Sequence, residues 1–328
     1  MKVTVLGGGS WGTAVAAQMA RAGHHVGLWL RQPALAEAVN ARRENPAYLP
    51  GEVLPEGLRA TTELAAAVAG AEVVISVVPS QSTRGVWAGL APLLPPGLPL
   101  VSATKGIEIE SLKRMSQLAE EVLPGHPLAV LSGPSFALEV VREQPTAIVV
   151  ASREAWLAER LQQAISTRAF RAYASDDLVG VELAGALKNV IAIAAGIVDG
   201  LGFGHNTVAA LITRGLAEMA RLAVAQGGRP DTLAGLAGLG DLVLTCTGAL
   251  SRNRRVGQAL GRGLSLERAQ AETGQVAEGV RTTLAACALA ERAGVEMPIA
   301  QQMRAVLYEG RTPRAAVEEL MSRRLKRE

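Results

Sequence analysis

Only two cysteines, Cys246 and Cys287, occur in the 328 residues, and no CxxC pair or His/Cys spacing suits zinc. Neither a disulfide framework nor a structural metal is expected, and both residues read as reduced thiols. Aromatic residues are equally scarce at 3%, and the formal net charge is only +3. So few rings and so small a surplus give a nucleic acid little to stack on or pair with, and local anion sites account for the charge better. Hydrophobic residues make up 49% of the chain, yet Gly, Arg, Glu and Asn cut each apolar stretch before the roughly 18 residues of a membrane span. Nor does Met1-Lys2 lead into a signal-type hydrophobic region with a small-residue cleavage site, so a cytoplasmic location is expected. Lysine is far rarer than arginine, which makes each lysine worth inspecting.

What is present begins with alternation. Met1 to Leu6 (MKVTVL) is a short β-branched run, followed by GGGSWG and then by TAVAAQMARAG, an alanine-rich helical stretch that Gly23 can cap. His25 to Leu30, Glu72 to Val78, Leu98 to Ala103 and Leu128 to Ser132 read as further strands, and Thr146 to Ala151 extends the set. Strands alternating with helices predict an α/β, Rossmann-like doubly wound parallel sheet. From about Ser175 the pattern changes to helical spacing, over Val179 to Val198 and Thr207 to Gln226. This predicts a dinucleotide-binding domain over 1–174 and a mainly α-helical substrate and catalytic domain over 175–328. The charged tail Arg323 to Glu328 reads as a fraying helix end.

Gly7, Gly9 and Gly12 form a GxGxxG that follows a strand and opens a helix. The first glycine permits a tight turn, the second lets backbone approach a pyrophosphate, and the third lets helix and strand pack closely. Amides at the helix N-terminus then face the phosphates, with Ser10 and Trp11 in the same turn. An NAD-selective site usually carries Asp or Glu at the end of the second strand, whereas this strand ends in Arg31. A guanidinium there suits a 2′-phosphate and points to NADP; the alternative is a solvent-facing arginine.

Three glycine-punctuated segments carry unexpected polar residues: VSATKGIE around Lys105, LSGPSFALE around Ser135 and ELAGALKNVIAIAAG around Lys188. The first two follow strands and open at the end where doubly wound sheets bind ligands. Lys188 sits in an apolar helical stretch, where an unpaired charge would be costly, so it should face a cleft with an anion in it. Further on, GLAGLGDLVLTCTGALSRNRRVG places Asp241 in a glycine-rich loop and Ser251, Arg252 and Asn253 at a helix start. That cluster suits a phosphate: serine caps, arginine forks onto two oxygens, and the helix amides add positive potential. A capped helix with solvated basic residues is the alternative.

Taken together, GGGSWGTA, NPAYLPG, VSATKGIE, SGPSFA, GALKNVIAIAAGIVDGLGFGHNTVAALITRG and GLGDLVLTCTGALSRNRRVG resemble the bacterial NAD(P)-dependent glycerol-3-phosphate dehydrogenases over nearly the whole chain. A departure is Gly248, where that family often has a hydroxyl residue after TCT. The resemblance implies reversible reduction of dihydroxyacetone phosphate to sn-glycerol 3-phosphate, supplying phospholipid backbones, with NADH or NADPH as cofactor. It places cofactor contacts on Ser10, Trp11, Arg31, Tyr48, Lys105, Ala137, Arg252, Val276 and Glu278. Substrate contacts fall on Lys105, Gly133, Ser135, Lys188, Asp241, Ser251, Arg252 and Asn253. Lys188 is the implied general acid and base; in the oxidation direction it must accept a proton, so its pKa must fall from the ordinary value of about 10.4, with Lys105 as a cation able to help. Asp241 either orients Lys188 or binds a substrate hydroxyl. No metal is implied, and a homodimer is the implied assembly. Dehydrogenases of the 6-phosphogluconate and β-hydroxyacid type share this architecture and a KN pair, and a cofactor-binding sensor without chemistry is a different class of reading. The sensor has no use for a lysine placed for proton transfer.

Overall fold

The structure, a computed structural model, describes residues 1–274 and 276–324. It folds as two units, one made of residues 1–105 with 113–181, the other of residues 106–112 with 182 onward. The division falls inside a helix, and one short segment of the first half of the sequence belongs to the second unit.

Ten strands form in the first unit: β1 (Lys2–Leu6), β2 (His25–Trp29), β3 (Glu44–Asn45), β4 (Leu49–Val53), β5 (Leu58–Thr61), β6 (Val73–Ser76), β7 (Leu100–Ser102), β8 (Leu128–Ser132), β9 (Thr146–Ser152) and β10 (Phe170–Ser175). Eight of them make one sheet in the order β10-β9-β8-β7-β6-β1-β2-β5, while β3 and β4 pair as a separate hairpin. The helices are α1 (Ser10–Arg21), α2 (Pro33–Arg42), α3 (Leu64–Val68), α4 (Ser80–Leu90), α5 (Met115–Val122), α6 (Ala137–Val141) and α7 (Ala155–Ile165). Period-2 alternation feeds both faces of the sheet: Val73 and Ile75 join one buried cluster and Val74 another. Because β6 and β8 are buried along their whole length, they read as unbroken apolar runs. The order reverses between β6 and β1, which sets the glycine turn after β1 at the switch point of the sheet.

Every expected strand is present, but the sheet is not wholly parallel, since β9 runs antiparallel to β8. The link between them holds only the five-residue α6. Such a helix advances about 7 Å, less than half of a five-residue strand, so it cannot carry the chain back for a parallel crossover. Three features escaped the sequence reading: β5, β10 and the β3–β4 hairpin. In β5 and β10, polar residues such as Arg59 and Arg171 alternate on the exposed side and hide the apolar signal.

The second unit is helical: α8 (Leu178–Gly200, begun in the first unit), α9 (His205–Ala225), α10 (Pro230–Ala234), α11 (Asp241–Thr247), α12 (Arg252–Gly261), α13 (Leu266–Thr273), α14 (Glu278–Ala293), α15 (Pro298–Tyr308) and α16 (Pro313–Met321). By length and composition α8 is apolar enough to cross a membrane, yet its apolar window is entirely buried in the protein. A helix apolar all round is the signature of a core element, and α8 is one. It packs against α12 through two glycine pairs four residues apart, Gly196 and Gly200 on α8, Gly257 and Gly261 on α12. A Cβ on Gly196 would collide with the Arg254 carbonyl, and one on Gly257 with that of Ile193. This close approach brings the start of α12 beside Asn189. Of the charged tail, residues 325–328 lie outside the described residues; α16 ends at Met321.

Candidate active site

In the first unit the turn after β1 fits a dinucleotide. Gly7 has φ +114°, and a Cβ there would lie 2.8 Å from the Val77 carbonyl oxygen; on Gly12 it would collide with the Gly7 carbonyl. Gly9 differs: its backbone is ordinary, and a Cβ on it would meet nothing within 4 Å. Neither torsion nor protein packing therefore requires glycine at that position, whereas the close approach of a pyrophosphate would. No side chain caps α1, whose amide end faces the turn. Arg31, just past β2, is exposed and has no partner among the described residues.

The hairpin is tied to this turn. Asn45, fully buried, donates to the Gly8 carbonyl at 2.9 Å and to Thr13 Oγ1 at 2.7 Å, and its Oδ1 accepts from the Tyr48 amide at 3.2 Å. Ser10 Oγ donates to the Tyr48 carbonyl at 3.1 Å. Asn45 thus places Tyr48, a role the sequence reading missed although the residue stands in the quoted NPAYLPG segment. On the other side of the turn, Lys105 Nζ lies 5.8 Å from the Trp11 ring centroid and donates to the Gly133 carbonyl at 3.0 Å. Ser135 Oγ donates to the same carbonyl at 2.9 Å. Gly133 has φ +133°, and a Cβ on it would press on Ile148 Cα at 2.9 Å. Trp11, Lys105, Gly133 and Ser135 therefore stand together, with Ala137 opening α6 two residues beyond Ser135.

In the second unit Lys188 and Asp241 are buried and form an ion pair between Nζ and Oδ1. Lys188 Nζ also donates to Thr245 Oγ1 at 2.9 Å, and that hydroxyl donates onward to the Asp241 carbonyl at 2.6 Å. Lys188 thus meets a carboxylate of the protein itself, and Asp241 lies directly against its ammonium. A π-helical turn, Leu236–Gly240, leads into α11 and delivers Asp241 to its place; such turns are rare and often mark functional sites. Thr245 was missed from sequence, though its spacing of four from Asp241 puts both on one face of α11. The adjacent Cys246 is buried, and burial pushes its thiol up to about 12, so no thiolate competes with the lysine.

Ser251 is the N-cap of α12, its Oγ accepting from the Arg254 amide at 3.2 Å, and Arg252 is the first helical residue. Asn253 Nδ2 donates to Asn189 Oδ1 at 2.9 Å, and its Oδ1 accepts from the Gly279 amide at 2.9 Å. Asn189 was overlooked beside Lys188, although the KN pair was visible. Val276 is exposed and Glu278 opens α14. At Gly248 the backbone alone shapes the turn, through its amide to the Leu244 carbonyl at 2.8 Å.

Known proteins resemble the chain over its whole length. The family described as NAD-dependent glycerol-3-phosphate dehydrogenase N-terminus matches residues 2–158, and its C-terminus counterpart matches residues 177–318. A glycerol-3-phosphate dehydrogenase [NAD(P)+] of Nitratidesulfovibrio vulgaris is 54% identical, with all of both chains covered. One of Geobacter sp. is also 54% identical over 100% of this chain and 98% of its own. The crystal structure of glycerol-3-phosphate dehydrogenase from Coxiella burnetii superposes with a TM-score of 0.95 at 42% identity, covering 98% of this chain and 99% of that one. With both halves of the family and full-length relatives matched, the chain belongs to the NAD-dependent glycerol-3-phosphate dehydrogenases.

Proposed function

We propose that the protein reduces dihydroxyacetone phosphate reversibly to sn-glycerol 3-phosphate with NADH or NADPH, and that Lys188 is its general acid and base. The buried Lys188–Asp241 pair carries this reading. Such a pair adds little net stability against its desolvation cost, so chemistry is the better reason for its presence. The pair sets the Lys188 Nζ, the proton donor in reduction, against the Asp241 carboxylate. Bound reduced nicotinamide supplies the hydride that adds to the ketone carbon. Lys188 Nζ stabilises the oxygen as it gains negative charge and transfers its proton to it, while Asp241 and Thr245 fix the direction of Nζ. Oxidation is the reverse, with the neutral amine accepting the alcohol proton.

Gly7, Gly9, Gly12, Ser10, Trp11, Tyr48, Lys105 and Ala137 are assigned to the cofactor, as are Arg252, Val276 and Glu278; Arg31 suits the 2′-phosphate of NADP. Lys105, Gly133 and Ser135 are assigned to the substrate. The phosphate falls to Arg252, whose fork can hold two oxygens, with the Ser251 hydroxyl and Asn253 amide beside it at the start of α12. A cytoplasmic homodimer supplying phospholipid backbones completes the proposal. Reduced-cofactor absorbance tests it: dihydroxyacetone phosphate should drive oxidation of NADH or NADPH, and unphosphorylated dihydroxyacetone should do so far more slowly. Equal rates for the two ketones, or none for either, would overturn the reading.

A further inference from the structure

The amide of Gly279 is one of the orphan donors in the first turn of α14, and the N-cap residue, Ala277, has no side chain to satisfy it. Its acceptor comes from a different helix, Asn253 Oδ1 of α12, at 2.9 Å. That bond fixes which way the Asn253 amide points, because an N–H of Gly279 must meet oxygen and not nitrogen. Nδ2 is thereby turned to Asn189 Oδ1, 2.9 Å away on α8. One Nδ2 hydrogen has no partner among the described residues. Packing reinforces the junction: a Cβ on Gly279 would lie 2.5 Å from the Asn189 carbonyl oxygen and 2.8 Å from Asn253 Oδ1, so α14 starts in direct contact with both. Thr283 Oγ1 then closes on the Gly279 carbonyl at 2.8 Å.

We infer that Asn253 is a positioning residue that couples substrate phosphate to cofactor by capping α14 from outside. The inference rests on the proposed assignment of the phosphate to the start of α12 and of Val276 and Glu278 to the cofactor. A phosphate oxygen accepting the remaining Nδ2 hydrogen polarises the amide and strengthens its carbonyl as the acceptor for Gly279. Val276 and Glu278, beside the Gly279 amide, are then held more firmly where they meet nucleotide. Linkage makes the effect reciprocal, so bound nucleotide tightens the phosphate site by the same factor.

The test uses a pair that cannot react, NADPH with glycerol 3-phosphate, and reads the NADPH dissociation constant from nicotinamide fluorescence with and without saturating glycerol 3-phosphate. The wild-type enzyme should bind NADPH at least about five-fold more tightly when glycerol 3-phosphate is present. In Asn253→Ala that ratio should fall to about one, a change that loss of stability alone does not produce. Asn253→Asp retains an acceptor for the Gly279 amide but repels phosphate, so it should bind NADPH alone as wild type does and lose the response to glycerol 3-phosphate. A ratio near one in the wild type, or an undiminished ratio in Asn253→Ala, overturns the coupling. Arg252→Ala separates the coupling from the phosphate assignment beneath it. It should weaken glycerol 3-phosphate binding about ten-fold or more, from the loss of a charge-assisted contact; unchanged binding would remove the phosphate assignment itself.

Discussion

A lysine and an aspartate that both give up their water gain back in attraction roughly what they lose, so the Lys188–Asp241 pair is poorly explained as a device for stability. Lys188 was legible in sequence because a charge interrupts a run of Ala, Leu, Val and Ile; Thr245 and Asn189 were not, because a threonine or asparagine on a helix is ordinary until its neighbours are known. Their partners are 57 and 64 residues away in the chain. Arg31 presents the opposite situation, a legible charge without a protein partner among the described residues. If it meets the 2′-phosphate, Arg31→Glu should weaken NADPH relative to NADH by about ten-fold or more, the scale of a charge-assisted hydrogen bond of roughly 1.5 to 3 kcal/mol. Dissociation constants for both nucleotides check this. Equal losses would return Arg31 to the solvent.

Between elements, the α8–α12 crossing decides whether the turn proposed to hold phosphate reaches the lysine's helix, and it depends on glycine. Gly257→Ala drives a methyl into the Ile193 carbonyl, so the helices must separate; overpacking of this kind costs about 1 to 3 kcal/mol, and KM for dihydroxyacetone phosphate should rise with it. Gly85→Ala, in α4, has open space around it and an ordinary backbone, and the same substitution should there raise stability by about 0.5 to 1 kcal/mol. Thermal unfolding of the two variants gives opposite signs if packing is the cause. The α9–α15 junction should be sensitive to pH. Glu218 of α9, buried, accepts from the Ile299 amide at 2.8 Å and the Ala300 amide at 3.4 Å in the first turn of α15. Burial raises its carboxyl from 4.5 to about 7 despite those two donors. A folded pKa above the unfolded one means stability that is complete below about 4.5 and lost as pH rises through about 7. Relative to Glu218→Gln, which does not titrate, the wild type should therefore lose up to roughly 3 kcal/mol between pH 4.5 and 8 in denaturant unfolding. A pH-independent difference would show that the carboxyl is not titrating in that range. Element by element, long buried strands and α8 were readable because burial on all sides leaves unbroken apolar runs. The antiparallel turn of β9 was not, because direction is set by the length of the link and not by the strand's own residues.

At the scale of the molecule, one unit carries the glycine turn proposed for the dinucleotide and the other the buried lysine proposed for proton transfer, so the two roles should separate by mutation. Replacing Lys188 alone would leave Asp241 buried without its partner and risk unfolding. Lys188→Met combined with Asp241→Asn keeps the pocket neutral and of similar size. The measurement is turnover with dihydroxyacetone phosphate at saturating NADPH, beside a fluorescence titration of NADPH on the same preparation. Turnover should fall roughly 100-fold or more while NADPH binds as it does to the wild type. Retained turnover with NADPH bound would contradict the account, because the proton would then come from a residue other than Lys188.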